Sequence, residues 1–406
     1  MIGVKIQVLT SFVQHCIIEF QGPRIVWIMR IYLDYNATAP VHDLVRERLA
    51  VFWQPKGYGN PASPHREGQW ARARIDQARS RLARAVGCDP DQIVFTGSGT
   101  EANALALGEE RPCYPCATAH PSILENAGRK AIHIPVQRNG VVDLGALERI
   151  VASSPPGIVS VIAANNVTGV LQPLEKIAAL VHGQGFLLHV DAVQAFGKIS
   201  LDFKALDVDF LSLSAHKLGG FAGIGALIVK DRETVTPLYG GGGQEGGLRC
   251  GTENCAGILS FAASLDALDE DPNWVRRVSA LRDHLESELS SATQNVFFFG
   301  SDAPRLGTTS CIAMPGVAAQ TQVLALDGQG FAVSAGAACS SGRSRPSHVL
   351  LAMGEEHDLA AQAIRVSLGW KTSLEEVDAF INAWITIAKK LGSKKFDGES
   401  NAHTVF

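Results

Sequence analysis

The sequence predicts an α/β protein built on a large, mainly parallel β-sheet with helices on both faces. Apolar segments at residues 158–164, 186–190 and 208–213 look like buried strands, and helical segments such as residues 174–183 separate them. Parallel strands need helical crossovers, so this alternation favours a parallel sheet. A further strand at residues 92–96 runs into a glycine-rich turn and then a helix.

The pattern changes after about residue 275, which predicts a second, smaller α+β unit. Its predicted elements are a helix at 275–292, strands at 296–299 and 309–314, a helix at 320–329 and a final helix near 374–391. We therefore expect a large domain at 45–275, a small domain formed by 29–44 and 276–391, and a loose polar tail at 392–406.

Composition and charge narrow the class of protein. Of the 406 residues, 46% are hydrophobic and 19% are charged, which is typical of a soluble globular enzyme. The net charge of −4 gives no reason to expect direct binding of nucleic acid or of a membrane surface. The eight cysteines follow no disulfide framework, which indicates reduced thiols and a cytoplasmic protein. Cys113 and Cys116 form a C-x-x-C pair without a second ligand pair, so zinc is not indicated.

The first 28 residues fit no targeting pattern. Polar residues interrupt their apolar runs, so they contain neither a membrane-spanning stretch nor a signal peptide. Met29 stands just before the strand-like Ile31. We expect residues 1–28 to be an extension that is absent from the native protein.

The glycine-rich turn at Gly97-Ser98-Gly99-Thr100 predicts a site for one phosphate. Backbone amides at the start of a helix attract anions, and glycines let the anion approach closely. The turn also matches the dinucleotide fingerprint, but no acidic residue ends the next strand. No lysine follows the glycines, which excludes a nucleotide P-loop.

Two further residues lie at predicted strand ends. Asp191 ends an apolar strand, where open parallel sheets bind ligands, although a helix cap would explain it equally well. Lys217 follows the next strand beside His216 and hydroxyl groups, which suits a Schiff-base amine; a solvent-exposed lysine is the alternative. A phosphate site, a carboxylate and a lysine at one sheet edge are the three contacts that pyridoxal 5′-phosphate (PLP) requires.

From Ile31 to about Trp370 the chain resembles the cysteine desulfurases of the nitrogen-fixation and housekeeping type (NifS/IscS-like), within the class V aminotransferase family. The segments that carry this resemblance are Tyr32-Leu33-Asp34-Tyr35-Asn36-Ala37-Thr38, Gly59-Asn60-Pro61, Val190-Asp191-Ala192-Val193-Gln194, Ser214-Ala215-His216-Lys217, Arg249-Cys250-Gly251-Thr252-Glu253-Asn254, Ser334-Ala335-Gly336-Ala337-Ala338-Cys339 and Ile364-Arg365-Val366-Ser367. The resemblance implies the PLP-dependent transferase fold of type I, with a seven-stranded sheet in the large domain.

The resemblance also implies a role for each matching position. Lys217 would hold PLP as a Schiff base, Asp191 would pair with the pyridine nitrogen, and His120 would stack on the ring and move protons. Four further groups would complete the site: Gln194 at the phenolic oxygen; Gly99, Thr100, Ser214 and His216 at the phosphate; Thr252 at the phosphate of the other subunit of a homodimer; and Asn166 and Arg365 at the substrate carboxylate.

Cys339 selects among the possible PLP chemistries. It lies among Ser, Ala and Gly residues, which suits a mobile nucleophile, although a small buried cysteine is the ordinary alternative. With the resemblance, the prediction is that L-cysteine becomes L-alanine and that Cys339 keeps the sulfur as a persulfide. An iron–sulfur scaffold or a thiolation enzyme would then accept the sulfur. Cys339 could also ligate a transient iron–sulfur cluster.

Three alternatives stay open at this point. A selenocysteine lyase would not need Cys339, and another class V aminotransferase would pass an amino group to a keto acid. A catalytically silent sulfur-carrier partner is a third alternative. The presence of Lys217, Asp191 and Arg365 argues against that last class.

Overall fold

The computed structural model describes residues 30–52, 58–108, 111–336 and 346–392. The predicted extension at residues 1–28, the tail beyond Gly392 and Cys339 lie outside these ranges. The expectations for these three parts of the chain therefore stay predictions.

Strands and helices alternate along the described chain. The strands are β1 (Ile31–Tyr32), β2 (Ile93–Thr96), β3 (Cys113–Pro115), β4 (Ile158–Ile162), β5 (Leu187–Asp191), β6 (Phe210–Ser214), β7 (Gly225–Val229), β8 (Phe297–Phe298), β9 (Thr309–Ala313), β10 (Phe331–Ala332), β11 (Ser334–Ala335) and β12 (Ala363–Ser367). The helices are α1 (Asp43–Phe52), α2 (Arg66–Val86), α3 (Gly99–Leu107), α4 (Pro121–Leu124), α5 (Leu144–Ser153), α6 (Leu174–His182), α7 (Phe203–Leu206), α8 (Cys255–Glu270), α9 (Trp274–Ala292), α10 (Ala319–Asp327), α11 (His348–Ala352), α12 (His357–Ala360) and α13 (Leu374–Leu391).

The large sheet has the strand order β2-β7-β6-β5-β4-β3. The pairs β3–β4, β4–β5 and β5–β6 are parallel, whereas β7 runs antiparallel to both of its neighbours. Every residue of β4, β6 and β7 is buried, so both faces of these strands are covered. The prediction of a mainly parallel, helix-covered sheet is confirmed.

The expected seventh strand is not formed within the described residues. The segment around Ile134 lies beside β3 at the sheet edge, where the Ile134 amide donates to Pro115 O at 2.8 Å and the Ala117 amide to Ile134 O at 2.9 Å. Only a single bridge, Cys116–Ile134, results. The segment then turns to pair with residues 141–143: the Asp143 amide donates to Pro135 O at 3.0 Å and the Gln137 amide to Val141 O at 2.7 Å.

A second sheet, of order β11-β12-β9-β8, is antiparallel throughout. Helices α9, α10 and α13 contribute to the apolar core at this sheet, which contains the fully buried Phe380 and Trp384. The large sheet has its own core, centred on residues such as Phe210 and Phe261. A short parallel pair between β1 and β10 forms a separate two-stranded sheet at the start of the described chain. Two cores agree with the proposed two-domain organisation, whose boundaries stay a prediction.

Local sequence signals fix the helix ends. Gly87 has φ +73° and ends α2, as glycine commonly does because it adopts the left-handed conformation without strain. Ser98 caps α3 by accepting from the Glu101 amide at 3.1 Å. Ser373 and Glu376 form a reciprocal capping box at the start of α13. These caps explain why the predicted helix limits are close to the observed ones.

Candidate active site

The carboxyl ends of the parallel strands β5 and β6 bring the predicted acid and amine together. Asp191 is the last residue of β5, and its Cα is in register with that of Ser212 in β6. Strand β6 ends at Ser214, and a 3-10 turn at Ala215–Lys217 then carries Lys217 over the same edge. Ligands of open α/β sheets bind at this edge.

Two hydrogen bonds hold the buried Asp191 carboxylate in a fixed orientation. Its Oδ1 accepts from the Val193 amide at 2.9 Å, and its Oδ2 accepts from Asn103 Nδ2 at 2.9 Å. Asn103 Nδ2 also donates to Ser122 Oγ at 2.9 Å, so helix α3 braces the carboxylate against α4. Asp191 is therefore preorganised to face a positively charged partner.

His120 is close enough to the acid and the amine for both charges to act on it. Burial lowers the pKa of His120; the Asp191 carboxylate opposes this effect, and the positive charges of Lys217 and His348 add to it. Its Nδ1 accepts from the Ser122 amide at 3.1 Å, which places the ring proton on Nε2 in the neutral form. His120 is thus a neutral ring whose Nε2–H can donate a hydrogen bond.

Lys217 and Gln194 share one acceptor, the main-chain oxygen of Asn36. Lys217 Nζ donates to Asn36 O at 2.7 Å and to Ala37 O at 2.6 Å. Gln194 Nε2 donates to the same Asn36 oxygen at 2.9 Å. The two nitrogen atoms therefore lie side by side at the sheet edge.

Arg365, in β12 of the second sheet, and Asn166, in the loop after β4, meet the same cluster. Arg365 is 3% exposed; its Nη2 pairs with Asp34 Oδ1 at 2.8 Å, and its Nη1 donates to Asn166 O at 3.2 Å. Asn36 Nδ2 also donates to Asn166 O, at 3.2 Å. In the described part of the chain, Arg365 Nε has no hydrogen-bond partner. A buried donor without a partner suits an incoming carboxylate.

The glycine turn has the geometry of an anion site at the start of α3. A Cβ added to Gly99 would lie 2.9 Å from Val193 Cγ2, so the close contact between α3 and the end of β5 requires glycine there. The first amides of a helix have no acceptor within it, and Thr100 is exposed in this turn. The Glu101 carboxylate accepts from the Gly97 amide at 2.6 Å and from Arg249 Nε at 2.8 Å, which braces the turn.

The predicted phosphate-side residues occupy different surroundings. Ser214 is buried at the end of β6. His216 Nδ1 lies 3.1 Å from Thr38 Oγ1, and burial followed by the charge of Lys217 lowers the pKa of His216 to about 4. Thr252 is exposed, and the structure records no hydrogen bond from it to the other site residues described.

Sequence reasoning missed several residues that hold the site together. Asn36 stands in a matching segment but was given no role, and Asn103, Lys198 and His348 were not singled out at all. His348 Nε2 donates to Ala119 O at 3.0 Å, next to the predicted stacking histidine. These residues contact the site only through tertiary structure, and a lone Asn, Lys or His in sequence is no signal for such a position.

The donor set fits PLP. A lysine amine, an oriented carboxylate and a glycine-braced helix start converge on one edge, and a buried arginine donor without a partner remains for a substrate carboxylate.

Within the described ranges no group of His, Cys, Asp or Glu residues could hold a metal ion. Cys113 and Cys116 are both buried there. No helix in the described chain is long and apolar enough to cross a membrane.

Comparisons with known proteins show which family this chain resembles over most of its length. The model of the family described as aminotransferase class-V matches residues 31–380. A protein of Dictyoglomus turgidum named cysteine desulfurase IscS is 33% identical over 89% of this chain and 95% of its own length. A cysteine desulfurase of Sinorhizobium fredii is 36% identical, over 89% of this chain and 97% of its own length. The solved NifS-like protein of Rickettsia africae has a TM-score of 0.82 and 34% identity, covering 89% of this chain and 99% of that one.

Proposed function

The chain belongs to the class-V aminotransferase family, and we propose that it is a PLP-dependent cysteine desulfurase that converts L-cysteine to L-alanine and an enzyme-bound persulfide. The observation that carries this proposal is the convergence of Asp191, Lys217 and His120 at the β5–β6 edge. Arg365, with its unpartnered Nε, lies at the same cluster as a carboxylate anchor. The relatives' names support sulfur transfer as the use of this site.

The protein's own residues divide the work of binding and proton transfer. Bound PLP would supply an electron sink for the charge that develops at the substrate Cα. Lys217 Nζ would accept the Cα proton, since it lies beside Gln194 at the centre of the cluster. Arg365 and Asn166 would fix the substrate carboxylate, and His120 Nε2–H would donate a hydrogen bond to the departing sulfur.

Cys339 is the proposed sulfur acceptor, on the strength of the family resemblance. Its thiolate would attack the sulfur of the substrate; a new S–S bond forms while the substrate Cβ–S bond breaks. The electron pair of the broken bond stays with carbon, and protonation there gives alanine. Atoms balance, because L-cysteine and the Cys339 thiol give L-alanine and the Cys339 persulfide.

The partners of this reaction belong to the same proposal. A persulfide must be unloaded before the next turnover, so a thiol-bearing acceptor is needed; iron–sulfur scaffolds and thiolation enzymes have this chemistry. The names of the relatives favour iron–sulfur assembly. We place the reaction in the reducing cytoplasm and expect a homodimer, in which the exposed Thr252 would serve the phosphate of the other subunit.

Alanine and sulfide formation in two cysteine variants tests the proposed function. With L-cysteine and excess dithiothreitol, Cys339→Ala should lower sulfide release by on the order of a hundredfold or more, because the nucleophile is lost. The visible absorbance of bound PLP should persist. Cys88→Ala is the control, since burial and then the Asp89 charge raise the pKa of Cys88 to about 12 and leave it a poor nucleophile.

Each of the other possible outcomes would indicate a different function for this protein. Undiminished sulfide release by Cys339→Ala would contradict the proposed mechanism. Alanine formation from selenocysteine alone in that variant would indicate a selenocysteine lyase. Amino-group transfer to a keto acid would indicate a transaminase. A colourless protein that does not take up PLP would indicate that the chain is the catalytically silent sulfur-carrier partner.

A further inference from the structure

Lys198 is a buried lysine that the proposed mechanism does not use. It is 8% exposed and follows Gln194 by one helical turn's spacing, just beyond β5. Its Nζ donates to Gln194 Oε1 at 3.0 Å and to Asn36 Oδ1 at 3.2 Å. Both acceptors are neutral amides, so the hydrogen bonds of this buried amine go to dipoles and not to a carboxylate. Burying an amine costs free energy of desolvation, and lysines are therefore rarely buried unless their amine is paired.

The ammonium group fixes which way the Gln194 amide points. A protonated lysine carries donors only, so Gln194 turns its oxygen toward the ammonium form of Lys198. Its Nε2 then faces the other way and donates to Asn36 O at 2.9 Å, the oxygen that also accepts from Lys217 Nζ at 2.7 Å. Gln194 therefore presents an N–H donor beside the amine that would hold the cofactor.

The same ammonium fixes the Asn36 amide. Because Asn36 Oδ1 accepts from Lys198, its Nδ2 is the end that donates to Thr309 Oγ1 at 2.9 Å and to Asn166 O at 3.2 Å. Asn166 O in turn accepts from Arg365 Nη1 at 3.2 Å. One buried cation thus sets the direction of hydrogen bonds on both the cofactor side and the carboxylate side of the site.

We propose that Lys198 is a positioning residue whose ammonium group holds Gln194 Nε2 as the hydrogen-bond donor to the phenolic oxygen of PLP. This inference rests on the proposed function, because it requires PLP at the β5–β6 edge. The effect on the cofactor has a definite direction. A donor and a nearby positive charge both stabilise the ionised phenolic oxygen, so they lower the pH at which bound PLP loses its proton.

The charges around Lys198 agree with this role. Burial, and then the positive charges of Lys217 and Arg365, lower the pKa of Lys198 to about 7. The ammonium form that orients Gln194 is therefore the main form of Lys198 below about pH 7, and an anionic oxygen at this edge would stabilise it.

The pH titration of the visible absorbance of bound PLP tests the proposal. Lys198→Met should raise the titration midpoint by about one pH unit, a tenfold gain in proton affinity, because the donor orientation and the charge are both lost. Lys204→Met is the matched control: Lys204 is exposed on α7 and pairs with Asp89 at 2.9 Å, so its loss should leave the midpoint unchanged. If Lys198→Met does not fold, Lys198→Gln, which keeps a polar group in the buried position, provides the variant whose titration midpoint is compared with that of the wild type.

A double variant separates positioning from a general structural effect. If Lys198 acts through Gln194, Lys198→Met should shift the midpoint much less in a Gln194→Leu background than in the wild type. Fully additive shifts, or an unchanged midpoint in both Lys198 variants, would overturn the role of Lys198. A wild-type protein without a PLP absorbance band would instead overturn the proposed function, so the two failures are distinguishable.

Discussion

Asn36 joins the two halves of the site through a single buried residue. Its main-chain oxygen accepts from Lys217 and Gln194, and its side chain reaches the Asn166 oxygen that Arg365 also contacts. A shift of Asn36 would therefore move the cofactor amine and the carboxylate anchor together. Placement to within fractions of an ångström is what effective catalysis requires.

The carboxylate anchor gives a prediction at this scale. Arg365→Lys removes the planar fork that can hold a carboxylate bidentately, so the KM for L-cysteine should rise by about tenfold to a hundredfold, equivalent to roughly 1.5–3 kcal/mol. The visible absorbance of bound PLP should stay unchanged. Steady-state kinetics check this, with Arg277→Lys, an exposed arginine paired with Asp271, as the control. An unaltered KM would remove Arg365 from substrate binding.

The roles of single residues could be predicted from sequence where a recognisable motif places them at the end of a strand. Asp191 and Lys217 could be found because an acid and an amine stand directly after apolar strands. Lys198 could not, because lysine is usually solvated and its partner Asn36 lies 162 residues away. The neutral state of His120 also depends on burial and on His348, which only tertiary structure brings near.

At the scale of elements, His189 connects the three central strands of the large sheet. It lies in β5; its Nδ1 is 2.8 Å from Ser160 Oγ in β4, and its Nε2 is 2.9 Å from Ser212 Oγ in β6. Burial lowers the pKa of His189 to about 3. The imidazole therefore stays neutral in the folded protein at every pH near neutrality.

This histidine should make the fold sensitive to acid. Between pH 6.5 and about 3 the unfolded chain binds a proton at His189 and the folded protein does not. The free energy of unfolding therefore falls as the pH drops through this window, by up to about 1.4 kcal/mol per pH unit from this group. In denaturant unfolding measured across this pH range, the free energy of unfolding of His189→Gln should fall less steeply with decreasing pH than that of the wild type.

The control for this prediction is His357→Gln, since His357 is exposed on α12. That variant should keep the wild-type dependence on pH. An equally steep fall in His189→Gln would mean that other groups dominate the acid sensitivity. His120 and His216 shift in the same direction as His189 and will contribute to the slope that remains.

Most elements followed from apolar periodicity and caps, as α13 shows. The α13 helix was expected near 374–391 and spans Leu374–Leu391, because the Ser373–Glu376 capping box starts it. The error lies at the sheet edge, where a seventh strand was expected from the resemblance. That segment makes a single bridge to β3 and then pairs with residues 141–143, and edge pairing is weakly specified by local sequence.

At the scale of the whole molecule, the site is assembled from both sheets. The large sheet provides Asp191 and Lys217, whereas Asp34, Arg365 and Thr309 belong to segments that pair with or lie in the second sheet. The motifs predicted which residues converge on the site but not the distances between them, because those distances depend on how the two sheets pack. The glycine turn, the acid and the amine still meet at one sheet edge, as the alternating pattern indicated.

Borohydride reduction of the PLP-loaded protein, followed by peptide mapping, tests the central claim most directly. Reduction fixes PLP permanently to the lysine that holds it. Two buried or half-buried amines compete at this edge, Lys217 and Lys198, and both contact Asn36. We expect the pyridoxyl label on Lys217 alone; a label on Lys198, or on any lysine outside the β5–β6 edge, would contradict the assignment of Lys217 as the lysine that holds PLP.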